Sequence, residues 1–475
     1  MACHPPSSET IEWAVTLAAA NRDESIERLS ELIKIRSLTG EEGDAQEYMA
    51  KRLREISAEV HVVEPDVPAM FEAFPNIAQY PTHWQHDLIL PYEQLPTYEA
   101  LRDSGLESVL NYRGRPNVVG VVRGTGGGRS LILNGHIDTV TVEPANEWRR
   151  DPFGGVIEDG RMYGRGTTDM KGGLMAGVMA LTFLHRAGVR LAGDVILQSV
   201  VNEEHAGNGT LDLVRQGWQA DAAVVLDGTD NRIAVSHPGG LYWQVTIPGV
   251  VRPPGARWEA DHLAGVSAIE KLPRIVDALL ELERAYHARA VDHPHERGRA
   301  PMTLVIGKVE GGHYETATAG EVVLRGCAYF SPKAGDILTV MQGFRDCIAV
   351  ANVGDEFLSR HPAKLHFLHH DDATDQDPDI EIARHAAAVL ERRGANGAVR
   401  PGPSACDMRH LVNQGGIPSI IFAPGCFGQA HKIDEYIELD TYTACIEHLI
   451  EMIVSWCNLE AETVPIAADE EANCG

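Results

Sequence analysis

Several things are scarce in this sequence, and each scarcity removes a class of explanation. No window approaches the roughly 18–20 consecutive apolar residues that a bilayer-spanning helix requires, so a membrane-embedded chain is not expected. Basic residues are outnumbered: 41 Lys and Arg stand against 68 Asp and Glu, a formal net charge of −27. Phosphate backbones and anionic lipid surfaces repel such a chain, which argues against nucleic acid and membrane as partners. The eight cysteines, at 3, 327, 347, 406, 426, 445, 457 and 474, are scattered without a CxxC pair. That spacing favours reduced thiols over a disulfide frame. The opening MACHPPSSETIEWAV lacks a basic segment followed by an apolar core, the pattern of a secretory signal. A cytoplasmic enzyme is the expectation, and no internal repeat points to a solenoid.

What is present is enough for two cores. A chain of 475 residues, 44% hydrophobic and 23% charged, exceeds one ordinary domain. Residues 7–35 and 39–55 carry helical spacing, with Ser7 or Ser8 as a cap, and Val60–Val63 reads as a strand. A long excursion rich in proline, aromatics and histidine covers 65–112, a length usually functional or a local cover. Strands at 117–122, 130–133, 194–201 and 221–226 then alternate with helical patterns such as KGGLMAGVMAL, which indicates an α/β domain with a mostly parallel sheet. From 236 the order becomes strand (241–247), helix (266–289), strand (302–309), strand (321–329), helix (336–350), strand (363–369). This β-α-β-β-α-β order predicts a ferredoxin-like α+β insertion over 236–372. The α/β pattern resumes at 373 with a helix (379–393), a strand (419–422) and a last helix (441–456), so 1–235 and 373–475 form one discontinuous catalytic domain. The acidic tail beyond Asn458 is expected to fray.

Chemistry concentrates where apolar runs end. In an open parallel sheet, ligands collect outside the carboxyl ends of the strands. Four runs deliver candidates there: His136 and Asp138; Glu203 and Glu204; Asp227; and His431 after SIIFAPG. Asp169 joins them from a glycine-dense strand-to-helix turn. Taken singly, each has an ordinary explanation: an Asp before a helix is commonly its N-cap, and a Glu-Glu pair is commonly a solvated face. Taken together at one end of one sheet, two histidines and several carboxylates form a ligand set suited to Zn²⁺, Co²⁺ or Mn²⁺. Without a thiolate among them, a structural zinc knot is not indicated.

The stretches NGHIDTV (134–140), Trp148 with DPFGG, DGRMYGRGTTDMKGG (159–173), NEEHAGNGT (202–210), ADAAVVLDGT (220–229) and APGCFGQAHKIDEY (423–436) resemble the M20 metallopeptidase/deacylase family. That group includes acetylornithine deacetylase, succinyl-diaminopimelate desuccinylase and glutamate carboxypeptidase. The resemblance spans the whole chain and implies a zinc-peptidase-like catalytic domain with an inserted lid. It also implies two divalent ions, zinc first with cobalt or manganese admitted. Asp169 would bridge them, His136 and Asp227 would complete one, and Glu204 and His431 the other. Asp138 would accept the imidazole N–H of His136, and a cis peptide would follow Asp169. Glu203 would be the general base, taking a proton from metal-activated water as it attacks an amide carbonyl. Relatives often dimerise through the lid, which implies a homodimer.

Two departures from the family pattern lie in the lid. The histidine expected in a G-x-x-H turn is replaced within GVVRPPGARWEADHLAGVSAIEK (249–271): counting forward reaches Pro253, counting back reaches Trp258, and His262 is the nearest histidine. Phe330 stands where relatives carry a carboxylate-binding Arg, and its loss removes a bidentate anchor; Arg409 is a candidate substitute. A small-molecule amide is therefore expected as substrate, N-acyl amino acid or related, aromatic or less anionic than usual. A carboxypeptidase or dipeptidase shares every metal ligand and stays open as an alternative. A binding homologue without catalysis would need a broken ligand set or a missing Glu203, and neither is seen.

Overall fold

A computed structural model of the chain describes residues 8–79, 81, 111–288 and 300–458. Most of the 65–112 excursion and the whole tail beyond Asn458 lie outside these residues. At its start the excursion holds a short helix, Val67–Ala73, capped by the Asp66 side chain.

Eight strands form the larger sheet. In spatial order they are Glu59–Val63, Asn117–Val122, Val195–Val200, Leu131–His136, Ala222–Val225, Ser419–Ile421, Ile233–Ala234 and Val399–Arg400. The four central strands, from Val195–Val200 to Ser419–Ile421, run parallel to one another. The two at the Glu59 edge pair antiparallel. The central strands are buried on both faces, which is why they read as continuous apolar runs rather than alternating ones. On one face the helices Lys171–Arg186 and Leu439–Cys457 pack with the N-terminal helices around Leu133, Leu174, Phe183 and Leu449. The other face is covered by a smaller cluster around Ile132, Val200, Leu213 and Ile421.

The second sheet, antiparallel, is ordered Met302–Gly311, Glu321–Phe330, Gly239–Pro248, Lys364–Asp371. The helices Ala268–Ala288 and Ile337–Val353 cover one of its faces, burying Trp243, Phe330, Phe344 and Phe367. Gly239–Pro248 alternates buried and half-buried positions, as a strand with one covered face must. The expected β-α-β-β-α-β succession is thus present, and Asp336 caps the second helix through Thr339 N–H.

Several boundaries differ from the sequence reading for local reasons. The pattern at 7–35 is two helices, Ser8–Ala20 and Arg22–Lys34, broken at Asn21, whose side-chain amide donates to Leu17 O. The strand expected at 130–133 runs on to His136, so the ligand candidate lies on the strand itself. A helix at Asn208–Arg215 and a three-stranded sheet of Val156–Glu158, Arg161–Tyr163 and Tyr436–Glu438 were not foreseen.

The Lys171–Arg186 helix meets the sheet unusually closely. A Cβ on Gly172 would lie 2.3 Å from Thr167 O, and one on Gly173 only 1.9 Å from Leu226 O. Both obstacles are backbone atoms that cannot rotate aside. Gly172 thus lets the helix start close against its own preceding turn, and Gly173 sets how near the helix comes to the strand end before Asp227. Gly173→Ala is predicted to cost about 3 kcal/mol or more, read as a lowered denaturation midpoint by circular dichroism.

Candidate metal centre

The ends of the central parallel strands meet as one cluster, largely buried except at His431, whose side chain is half exposed. His136 closes Leu131–His136, and Asp169 precedes the Lys171–Arg186 helix, with a cis peptide between Asp169 and Met170. After Val195–Val200 the backbone of Asn202 turns left-handed (φ 65°), which swings Glu203 and Glu204 off the strand line. His431 also sits at positive φ, 61°; such backbone is sparsely populated and tends to collect at functional sites. Ligand atoms of His136, Asp169 and Glu204 all fall within 4.8 Å of one another.

The finer distances describe a shared site. His136 Nε2 is 3.0 Å from Asp169 Oδ1 and 3.8 Å from Glu203 Oε2. His431 Nε2 is 2.9 Å from Glu204 Oε2 and 3.3 Å from Asp169 Oδ2. Asp169 thus offers one oxygen to each imidazole. Asp227 is buried beside them, one of its oxygens accepting Gly228 N–H at 2.7 Å. Burial first, and then the Asp169 charge, push its pKa up to about 7.

These residues fit divalent ions on their own chemistry. His136 Nδ1 lies 2.9 Å from the backbone carbonyl of Asp138, and a carbonyl only accepts, so Nδ1 carries a proton. Nε2 then faces the Asp169 carboxylate, acceptor against acceptor, and either a second proton or a cation must lie between them. Around this pair stand buried carboxylates whose ionisation burial opposes, Glu203 and Asp227 among them. Cations that accept imidazole and carboxylate donors satisfy both demands.

Asp138 has a different partner from the one the resemblance implied. The imidazole N–H goes to its main-chain oxygen, while its carboxylate stays 3.7 Å from Nδ1. The carboxylate instead accepts Thr39 Oγ1 (2.8 Å), Glu203 N–H (3.1 Å) and Glu204 N–H (3.3 Å). Asp138 therefore holds the turn that aims both glutamates, which a one-dimensional pattern does not reveal. His262 is not brought to the cluster. It lies on a two-stranded ribbon, Trp258–Glu259 with His262–Leu263, its side chain 66% exposed and near only Glu259 and Asp261. Arg409 does approach, but from beneath. It is buried, ion-paired with Asp371 at 3.0 Å, and 3.5 Å from Glu203 Oε1.

Sequence reasoning missed Glu435, which holds Asp169 from behind. Its Oε1 accepts the N–H groups of Thr168 (2.8 Å) and Asp169 (3.2 Å), and its Oε2 accepts Gly166 N–H and pairs with Arg165 at 2.7 Å. Both side chains of the pair are buried. The motif HKIDEY contained it, but no spacing rule separates a buried carboxylate from a solvated one. Lys171 is likewise buried, donating to Leu32 O and Ile35 O, and burial brings its pKa down to about 7.

Above the cluster opens a cleft reaching from Glu203, Glu204 and His431 to Tyr242, Tyr329, His369 and Asp371 on the second sheet. It lies between the two sheets, as small-molecule sites commonly do.

Comparison with known proteins identifies a family, relatives and structures of like fold. The family described as peptidase family M20/M25/M40 matches residues 132–455. An N-formyl-4-amino-5-aminomethyl-2-methylpyrimidine deformylase of Bacillus subtilis is 30% identical over 370 residues, 74% of this chain and 85% of that protein. A probable succinyl-diaminopimelate desuccinylase of Staphylococcus epidermidis is 26% identical over 338 residues, 67% of this chain and 81% of that one. Among solved structures, the Saccharomyces cerevisiae dipeptidase Dug1p superposes with a TM-score of 0.68 at 14% identity, covering 95% of this chain and 100% of that one. The metallo-carboxypeptidase Sso-CP2 of Sulfolobus solfataricus gives 0.67 at 16%, covering 92% and 100%. At such identities these two show a common fold.

Removing one member of a buried pair leaves the other charge unpaired. Arg165→Met is predicted to weaken metal affinity by about 10–100-fold, the usual scale for groups that orient ligands. Competition with a chromophoric chelator measures it.

Proposed function

Because the chain belongs to peptidase family M20/M25/M40, we propose that it hydrolyses the C–N amide bond of a small molecule at a dinuclear metal centre. Its ligands in this reading are His136, Asp169, Glu204, Asp227 and His431. The observation that carries the proposal is Glu203: a buried carboxylate at the cleft floor, beside the ligand cluster, its main chain held by Asp138 and its carboxylate 3.5 Å from Arg409.

Bound at those ligands, two divalent ions would supply Lewis-acid polarisation of the amide carbonyl and a lowered pKa for water. The protein's own groups do the rest. Burial pushes the Glu203 pKa well up, against the lowering by His136 and Arg409, and a carboxylate of raised proton affinity suits a general base. Glu203 takes the proton of the attacking water and passes it to the leaving nitrogen, so that amide and water become carboxylic acid and amine. Asp138 keeps Glu203 aimed, and the cleft walls restrict bulk water.

The curated relatives named for deformylation and desuccinylation support acyl-group removal over peptide cleavage. Peptide hydrolysis would use the same ligands and the same base, and a free terminal carboxylate would then need a cation in the cleft. The proposal also assigns 1–235 and 373–475 to the catalytic body and 236–372 to a lid, with zinc as native ion, a homodimer through the lid, and the cytoplasm as its compartment. In support, the cysteines among the described residues are free thiols. None of the described helices is long and apolar enough to cross a membrane.

Glu203→Gln should retain two metal equivalents by elemental analysis while turnover falls by about 10²–10⁴-fold; unchanged turnover would refute the base. Chelation should abolish hydrolysis, and added Zn²⁺, Co²⁺ or Mn²⁺ should restore it. Activity that survives complete metal removal would overturn the dinuclear reading.

A further inference from the structure

No described residue of the 65–112 excursion lines the cleft or joins the ligand cluster. Yet Gln79 and Tyr112, from its two described ends, are both buried. Gln79 grips the second sheet. The last strand of that sheet, Lys364–Asp371, pairs on one side only, with Gly239–Pro248, so main-chain groups on its outer edge need partners. The Gln79 carboxamide supplies both at His370. Its Nε2 donates to His370 O at 2.7 Å, and its Oε1 accepts His370 N–H at 3.1 Å. The residues on either side of His370 are His369 and Asp371, which line the cleft.

From Gln79 a chain of hydrogen bonds leads to the metal centre. Asn208, buried at the start of the helix Asn208–Arg215, holds Gln79 in turn. Its Nδ2 donates to Gln79 O at 2.7 Å, and its Oδ1 faces Gln79 N–H at 3.5 Å. The other Nδ2 proton goes to the Tyr112 hydroxyl at 2.8 Å. That hydroxyl donates to Asn202 Oδ1, an oxygen that can only accept. Asn202 is the left-handed residue from which Glu203 and Glu204 leave the strand line. Its Nδ2 is buried without a partner, so among the described residues Tyr112 makes the one hydrogen bond of that side chain.

Tyr112 is itself fixed. The Arg115 guanidinium lies 4.8 Å from its ring centroid, and Glu42 holds that guanidinium through bonds of 2.6 and 2.7 Å. Burial raises the phenol pKa, so the proton remains available to Asn202. Breaking any link leaves a buried polar group unpaired, a cost that favours movement of its neighbours. In hydrolysis, a substrate held by the wall must present its carbonyl to the water that Glu203 deprotonates. A displacement of about 1 Å there can cost about 10²-fold in rate.

We propose that Gln79, Asn208 and Tyr112 are positioning residues for this hydrolysis: through them the cleft wall at His369 and Asp371 keeps a fixed relation to the turn bearing Glu203. The proposal rests on the amide-hydrolase reading above. The excursion acts on the reaction through its two ends, without touching the substrate there.

The test uses the full-length, metal-reconstituted chain and the fastest-cleaved member of a panel of N-formyl, N-acetyl and N-succinyl amines and amino acids. Tyr112→Phe and Gln79→Met should each lower kcat by about tenfold or more at full metal occupancy, with KM within about threefold. The double variant should be about as slow as the worse single one, because both cut the same chain. Tyr442→Phe, which removes a buried phenol hydroxyl donating to Ser25 O, is the control. It should lower the denaturation midpoint and leave kcat unchanged. Hydrogen exchange gives a readout that needs no substrate: Tyr112→Phe should speed exchange at 368–371, and Gln79→Met at 202–207.

Three kinetic results overturn the proposal and leave the hydrolase intact: kcat within about twofold of the parent in either single variant, effects that multiply in the double, or an equal loss in Tyr442→Phe. Exchange changes confined to the mutated end overturn it as well. If the parent cleaves no amide at full metal occupancy, the hydrolase reading fails and exchange alone decides. Changes at the far end then uphold the connection, and local ones refute it. Should either variant fail to fold, Gln79→Glu, which keeps an oxygen for His370 N–H and loses the donor to its carbonyl, is judged on kcat and on exchange at 202–207.

Discussion

The constraint on which this structure depends is the burial of several carboxylates at one end of one sheet. Asp138, Asp169, Glu203, Glu204 and Asp227 converge with two imidazoles where four parallel strands end. Like charges so close, and so far from water, cannot all ionise without cations among them. The fold answers this on two levels. Hydrogen bonds from backbone N–H groups spread the charge of Asp138 and Glu435, and the remaining oxygens face one another in a geometry that divalent ions satisfy.

Around that centre the supports form a chain of dependence. Gly173 lets the helix that follows Asp169 approach the strand end before Asp227. Glu435 and Arg165 hold the Asp169 turn from behind, with Arg165 also reaching the main chain near His431. Lys171, on the same turn, is tied to the end of the Arg22–Lys34 helix through Leu32 O and Ile35 O. Buried polar groups of this kind contribute geometry more than net stability. Here they relate three otherwise separate chain segments to one site.

The second sheet enters through Asp371. It closes the last strand of that sheet, yet its charge partner, Arg409, belongs to the segment before Ser419–Ile421 and lies 3.5 Å from Glu203. One guanidinium therefore connects the wall of the cleft to Glu203 on its floor.

How much of this was legible beforehand follows from the range of each interaction. His136, Glu203, Glu204, Asp227 and His431 could be nominated from sequence because each follows an apolar run, and Asp169 because it sits in a glycine-dense turn before a helix; both signals are local. The two sheets were legible because hydrophobic period and element order are also local. The partner of Asp138, the roles of Glu435 and Lys171, and the isolation of His262 were not, since each depends on which distant segment lies opposite. The sequence by itself determined the chemistry available and where along the chain it would surface. Only the tertiary structure decided which charges lie against one another and which are paired with a buried partner, because those depend on contacts between residues tens to hundreds of positions apart.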